Sequence, residues 1–148
     1  MGRNRLDRAF ERRLSGLVNA RERGVLSGGW KGVEREALRV RTDGRLAQTD
    51  HPLALGSALA HPHITTDYSE ALIELVTPPF PNSWELQQYL CDIHQFVYSE
   101  LGQELLWATS MPCVVGGDAE IPIARYGSSN IGRMKHVYRV GLGHRYGR

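Results

Sequence analysis

The stretch GVEREALRV, residues 32–40, alternates along its length and therefore predicts a β-strand, which we place over residues 31–41. Side chains along a strand point alternately to opposite sides, so one face would hold Glu34, Glu36, Leu38 and Val40. This face is apolar at one end of the strand and carries two carboxylates at the other. Like charges at neighbouring positions of a core-type face repel each other, and burial raises the cost. We therefore expect a positive charge to lie between the two glutamates.

A second strand is predicted around residues 70–77, and it again places carboxylates on an apolar face. The residues that would share this face are Glu70, Leu72, Glu74 and Val76, and Asp67 and Tyr68 come just before them. If the two strands are neighbours, Glu34, Glu36 and Glu74 can meet. A cluster that offers only oxygen ligands suits Mg2+ or Mn2+. The alternative is that these glutamates pair with Arg35, Arg39 or other arginines on exposed sheet faces.

The rest of the chain alternates between helical and strand-like patterns, which indicates an α+β fold with an antiparallel sheet. A helix over 5–23 would carry the apolar stripe Leu6, Phe10, Leu14 and Leu17. The other predicted elements are a hairpin turn at 42–44 with 45–49 as a returning strand, one or two helical turns within 52–60, a helix over 83–101 capped by Asn82 or Ser83, a strand-like segment over 105–115, a loop over 116–132 and a helix over 131–146.

Composition and charge are those of a soluble globular protein. The chain has 148 residues, 41% of them hydrophobic and 23% charged, with a net charge of +2. It shows no apolar run long enough for a bilayer and no secretory signal, so we expect a cytoplasmic protein. Its two cysteines, Cys91 and Cys113, do not make a disulfide framework and are both expected in the core. Trp84 and Phe96 are expected to pack rather than to bind a ligand.

Basic residues suggest a function of a different class. Five arginines lie within residues 1–13, and Arg133, Lys135, His136 and Arg139 form a second basic run. Together the N-terminal helix and residues 133–148 could form a basic nucleic-acid-binding module, whose binding would be tight and sensitive to salt. Solvated helix faces are the commoner explanation for such charge runs.

Five motifs in register resemble the proteobacterial type of glutamate–cysteine ligase, also called γ-glutamylcysteine synthetase. The resemblance runs from about Trp30 to the last residue. The motifs are GVEREALRV (32–40), HPLALGSAL (51–59), ITTDYSEALIELVTP (64–78), LWATSMPC (106–113) and YGSSNIGRMKHVYRVGLGHRYG (126–147). Residues 1–29 are not distinctive, and we expect them to form an N-terminal helix that precedes the catalytic part, residues 30–148.

The resemblance implies a glutamine-synthetase-like fold whose antiparallel sheet holds Mg2+ and ATP. It implies ligation of the γ-carboxyl of L-glutamate to L-cysteine through a γ-glutamyl phosphate, the first step of glutathione biosynthesis. The implied metal ligands are Glu34, Glu36, Asp67 and Glu74, so that Mg2+ is the positive charge expected between the glutamates. The implied cysteine-pocket residues are Tyr68, Tyr138 and Leu142. Family members often have phenylalanine where Tyr68 stands, which would make this pocket slightly more polar.

The resemblance implies a family pattern that continues well beyond Arg148 with a further histidine, a glutamate and arginines of the site. The resemblance therefore implies an N-terminal fragment, with an incomplete sheet and no ligase activity of its own. The full-length enzyme is expected to be a monomer that binds neither nucleic acid nor a membrane.

Overall fold

The computed structural model describes residues 3–146, which form a four-stranded antiparallel sheet and three helices. The strands are β1 (Glu34–Val40), β2 (Ile64–Thr66), β3 (Leu72–Val76) and β4 (Leu105–Leu106), arranged in the order β2–β3–β1–β4. The helices are α1 (Arg3–Glu22), α2 (Ser83–Glu100) and α3 (Asn130–Tyr146). The predicted α+β class with an antiparallel sheet is thus confirmed, as are the three predicted helices.

The main core lies between α2 and one face of the sheet. Ala37 of β1 and Ile73 and Leu75 of β3 pack there against Ile93 and Val97 of α2. These strand residues alternate with the glutamates, so the carboxylates lie on the face that α2 does not cover. The sequence argument had taken the glutamate-bearing face as core-type, and this was wrong at its glutamate end. Its apolar end does join a second, smaller cluster, in which Val40 packs with other buried residues.

Helix α2 begins and ends where its capping residues predict. The Asn82 side chain accepts a hydrogen bond from the Glu85 amide at 2.9 Å, and Gly102, with φ of +63°, follows the last turn. The expected packing of Trp84, Phe96 and Cys91 was wrong, because all three are exposed. They lie off the stripe of α2 that meets the sheet.

Several short segments differ from the pattern. The hairpin turn is present, with Gly44 at φ of +79° and an isolated bridge between Val40 and Leu46, but the returning segment does not become a full strand. The helical turn expected within 52–60 is a single 3-10 turn over Leu53–Leu55. The segment over 105–115 is strand only at β4, although Cys113 is buried as expected. Strand β2 was not predicted as a separate element.

A buried arginine ties these elements together. The Arg39 guanidinium donates to the Glu104 carboxylate at 2.7 Å, to the Thr49 hydroxyl at 2.6 Å and to the Glu70 carbonyl oxygen at 2.9 Å. Its side chain is only 1% exposed. This network joins β1 to the loop after the hairpin, to the turn before β3 and to the segment after α2. The alternative, in which Arg39 pairs with Glu34 or Glu36, is therefore wrong for Arg39.

Helix α1 exposes its apolar stripe to solvent. Leu6 is 75% exposed, and Phe10, Leu14 and Leu17 are exposed as well. The spacing thus predicted the helix correctly but not a buried face for it. Among the helices of residues 3–146, none is both long and apolar enough to cross a bilayer.

Candidate functional site

Three glutamates share the open face of the sheet because of the pairing of β1 with β3. Glu36 lies directly opposite Glu74, and Glu34 lies opposite Val76, which places Glu34 diagonally across from Glu74. Opposite residues of an antiparallel pair have side chains on the same face, with Cβ atoms about 5 Å apart. The face that alternation assigned to the glutamates is therefore the face on which they lie.

Asp67 joins this group from the end of β2. Thr65 is paired with Glu74, and two residues later the Asp67 amide donates to the Leu72 carbonyl oxygen at 3.0 Å. Asp67 therefore continues the side of β2 that faces the glutamates. We call Glu34, Glu36, Asp67 and Glu74 the carboxylate cluster.

The negative charges of the carboxylate cluster repel one another, and Glu74 is the residue at which this repulsion is seen. Burial raises the pKa of Glu74, and the neighbouring carboxylates of Asp67, Glu34 and Glu36 raise it further. Within residues 3–146, neither Glu34, Glu36 nor Glu74 has a basic side chain within salt-bridge distance. The pairing with Arg35 that the alternative proposed is also not found among these residues, because Arg35 points to the opposite face. There, burial of His94 on α2 lowers the pKa of that histidine, and the charge of Arg35 lowers it further.

The donor set fits a hard divalent cation. All four side chains offer carboxylate oxygens, which Mg2+ and Mn2+ prefer over nitrogen or sulfur ligands. In the described part of the chain, no three His, Cys, Asp or Glu side chains are gathered tightly enough to hold one ion. The carboxylate cluster therefore fits such an ion by the chemistry of its side chains and not by their spacing.

One cation does reach the edge of the carboxylate cluster, from α3. The Lys135 ammonium donates to the Asp67 carbonyl oxygen at 2.5 Å and lies 3.8 Å from the Asp67 carboxylate. Its charge also lowers the pKa of Glu74, against the larger upward effects. The interpretation of this basic run as a solvated helix face is therefore wrong for Lys135. It holds for Arg133 and His136, which are exposed.

A cavity of about 680 Å³ lies next to the carboxylate cluster, between the β2–β3 turn and α3. Tyr68 and Leu142 line it, together with Ile121 and Arg139. Tyr138 is 60% exposed and does not line this cavity, although it lies one helical turn before Leu142. Arg139 donates to the carbonyl oxygens of Ile121 and Asp118, which fixes the loop that closes one side of the cavity.

Glu70 is a buried carboxylate that the sequence argument placed wrongly. It lies in the turn before β3, where one of its oxygens accepts from the His51 amide at 2.7 Å and the other from the Arg125 amide at 2.6 Å. It therefore holds two loops against the turn that carries Asp67 and Tyr68. The residues that it joins are 19 and 55 positions away, so no local pattern could have revealed this role.

Comparison with known proteins gives this site its context. The family model described as glutamate-cysteine ligase matches residues 14–148. A glutamate–cysteine ligase from Alcanivorax borkumensis is 57% identical over 139 residues, which are 94% of this chain and 26% of that protein. One from Pseudomonas fluorescens is 50% identical over all 148 residues, 28% of its length.

A solved structure agrees with the fold as well. The glutamate–cysteine ligase from Francisella tularensis, in complex with AMP, superimposes with a TM-score of 0.70 at 44% identity, over 78% of this chain and 23% of that one. These relatives give no support to the basic nucleic-acid-binding module. The chain spans about a quarter of the length of the curated relatives it matches. By its sequence and its fold, the chain belongs to the glutamate–cysteine ligase family.

Proposed function

We propose that this chain supplies part of the active site of an ATP-dependent ligase that joins the γ-carboxyl of L-glutamate to the amine of L-cysteine. The observation that carries the proposal is the register of β1 and β3, which sets Glu36 opposite Glu74 on the open face in a chain of this family. The AMP bound to the Francisella tularensis relative supports an adenine nucleotide as co-substrate.

The carboxylate cluster is proposed to hold Mg2+ or Mn2+, with Glu34, Glu36, Asp67 and Glu74 as ligands. Such an ion supplies positive charge beside the triphosphate during phosphoryl transfer. The strands supply rigidity, because β3 is hydrogen-bonded to β1 on one side and to β2 on the other beneath these side chains. The unfavourable charge on Glu74 supports the proposal, since a bound cation would relieve it.

The reaction itself requires no nucleophile from the protein. In the proposed sequence, an oxygen of the glutamate γ-carboxylate attacks the terminal phosphorus of ATP, and ADP leaves. The cysteine amine then attacks the carbonyl carbon of the γ-glutamyl phosphate, and phosphate leaves. The protein contributes the orientation of the reactants and the electrostatic stabilisation of the transition state, which account for most of the catalysis in phosphoryl-transfer enzymes.

The cavity beside the carboxylate cluster is proposed as one wall of the cysteine pocket. Tyr68 and Leu142 line it, and Tyr138 would join them if the rest of the enzyme closes over α3. Because Tyr68 follows Asp67 in the chain, the pocket and the proposed metal site are built on one turn. Residues 1–29 are proposed to be an N-terminal helical segment outside this site, with residues 30–148 as the catalytic part. Of these two parts, residues 1, 2, 147 and 148 lie outside the described residues.

A chimeric enzyme tests this proposal. The matched segment of the Alcanivorax borkumensis relative would be replaced by these residues, which are 57% identical to it. We expect the purified chimera to release ADP only when glutamate, cysteine, ATP and Mg2+ are all present. A chimera that folds, as judged by circular dichroism, but shows no cysteine-dependent ADP release would contradict the proposed function.

A further inference from the structure

Lys135 occupies a fixed position beside Asp67, at the edge of the carboxylate cluster. Its side chain is only 12% exposed. Its ammonium donates to the Asp67 carbonyl oxygen at 2.5 Å, and it lies 5.2 Å from the centre of the Tyr126 ring, an attractive arrangement for a cation. A lysine held in this way is not a freely moving surface charge.

The backbone of the same residue is bound to the neighbouring pocket residue. The Tyr68 hydroxyl donates to the Lys135 carbonyl oxygen at 3.2 Å. Lys135 therefore contacts both residues of the Asp67–Tyr68 pair, the first through its side chain and the second through its main chain. These contacts span 67 and 68 positions of sequence, and they hold α3 against the β2–β3 turn.

A fixed ammonium at this place opposes the entry of a second cation. Its nitrogen lies 3.8 Å from a carboxylate oxygen of Asp67, so an ion bound by Asp67 would lie within a few Å of it. Like charges at such distances repel each other, and they do so more strongly where the surroundings are partly shielded from water.

We propose that Lys135 is an internal counter-ion that lowers the affinity of the carboxylate cluster for a free divalent cation. The inference rests on the proposed function. The negative charge of a bound triphosphate would offset the ammonium, so the metal would be retained mainly together with its nucleotide. Lys135 is a positioning residue in this account, because it acts through Asp67 and through charge.

The test is a titration of Mn2+ into the 148-residue chain, followed by calorimetry and by the electron paramagnetic resonance signal of free Mn2+. Lys135→Gln removes the charge but can still donate a hydrogen bond to the Asp67 carbonyl oxygen. We expect it to bind Mn2+ about tenfold more tightly than the unaltered chain. Lys135→Arg, which keeps the charge, should bind Mn2+ with nearly the original affinity.

Matched controls separate this charge from charge in general. Arg133→Met removes one positive charge from the same helix at an exposed position two residues earlier, which faces away from Lys135. It should leave the Mn2+ affinity within about twofold of the original. Lys135→Met gives a second uncharged variant if the glutamine variant fails to fold, and circular dichroism identifies that failure.

The outcomes distinguish this inference from the proposed metal site. If the unaltered chain binds Mn2+ and Glu74→Gln abolishes the binding, but Lys135→Gln and Lys135→Met bind no more tightly, then the counter-ion role is overturned and the metal site stands. If neither the unaltered chain nor any Lys135 variant binds Mn2+, the carboxylate cluster is not a metal site and both proposals fall. Tighter binding by the uncharged variants alone supports the inference.

Discussion

Arg35 and Glu36 are adjacent in the chain, yet their side chains belong to different environments. Arg35 points toward α2, where burial lowers the pKa of His94 and the charge of Arg35 lowers it further. Glu36 points to the open face, opposite Glu74. A substitution at either position disturbs the same strand, so the pair separates the consequence of losing a carboxylate from the consequence of altering β1.

In the chimeric ligase, Glu36→Gln should reduce turnover on the order of 100-fold or more, while Arg35→Gln should change it only a few-fold. The amide keeps the shape of the side chain but removes a charge proposed to stabilise phosphoryl transfer. Steady-state ADP release gives the measurement, and raising Mg2+ should partly restore the glutamate variant. If both variants lost the same turnover, without any dependence on Mg2+, the assignment of the metal site to the glutamate face of the sheet would be wrong.

Glu74 gives the chain a predictable dependence on pH. Burial and the neighbouring carboxylates raise its pKa, so the folded state binds this proton more tightly than the unfolded chain does. The resulting stabilisation is fully present below the ordinary pKa of glutamate and is lost as the pH rises through the raised value. Above that raised value, without metal, the ionised Glu74 therefore destabilises the fold.

Glu74→Gln should accordingly raise the melting temperature at pH 7, without divalent cations, by about 1 to 3 °C. The difference should shrink as the pH is lowered toward about 4, where glutamate carboxyls become protonated. Glu11→Gln on the exposed face of α1 is the control and should show neither effect. A glutamine variant that melts below the unaltered chain at pH 7 would be inconsistent with crowded carboxylates.

At the scale of the elements, helix α2 depends on its cap. Asn82→Ala removes the side-chain acceptor for the Glu85 amide and should destabilise the fold by about 1 kcal/mol, or about 2 to 4 °C in melting temperature. Gln87→Ala, at an exposed position inside the same helix, should cost less than about 0.5 kcal/mol. Thermal melts followed at 222 nm compare the two, and equal effects would mean that the cap contributes nothing specific.

The elements also show how far sequence patterns reach. β1 and α2 were predictable because period-two and helical spacing are local properties of the chain. β2, with only three residues, is too short for such a pattern. The exposure of Trp84 and Cys91 was not predictable, because an amphipathic pattern does not say which of its residues will meet a sheet.

The candidate site divides in the same way. That Glu34, Glu36 and Glu74 share a face follows from alternation and from the pairing of β1 with β3. The contact between Lys135 and Asp67 joins residues 68 positions apart, and it depends on where α3 lies. No spacing rule reaches that distance, so the cation beside the carboxylate cluster could not be distinguished from an ordinary basic run.

At the scale of the whole molecule, the hydrogen bonds of buried Arg39 connect four segments of the chain, so we expect the stability of the fold to depend on them. Arg39→Met should cost about 3 to 5 kcal/mol, because Glu104 would be left as a nearly buried carboxylate without its positively charged partner. A domain of this size has about 5 to 15 kcal/mol in all, so urea denaturation should show a large loss or no folded baseline. Arg41→Met removes an exposed pair with Asp43 and should cost less than about 1 kcal/mol. A mild Arg39 variant would show that the network is dispensable.

The 148 residues by themselves should show no ligase turnover. They span about a quarter of the matched relatives, and residues 3–146 place the carboxylate cluster on an open sheet face with one wall of a pocket beside it. A coupled assay for ADP with glutamate, cysteine, ATP and Mg2+ gives the measurement. Cysteine-dependent turnover by this chain alone would mean that the site is more complete than its position on an open face indicates.

The two cysteines differ in burial, so their rates of reaction with a thiol reagent can report on the opening of the fold. Cys91 is exposed on α2, whereas burial raises the pKa of the Cys113 thiol and shields it from reagents. A maleimide dye at neutral pH will therefore modify Cys91 first and Cys113 only when the smaller core opens. Because α2 covers the sheet face opposite the carboxylates, a fluorophore on Cys91 would leave that face free. The rate of the slow labelling phase at Cys113 would then report how often the fold opens around this residue, without any engineered substitution.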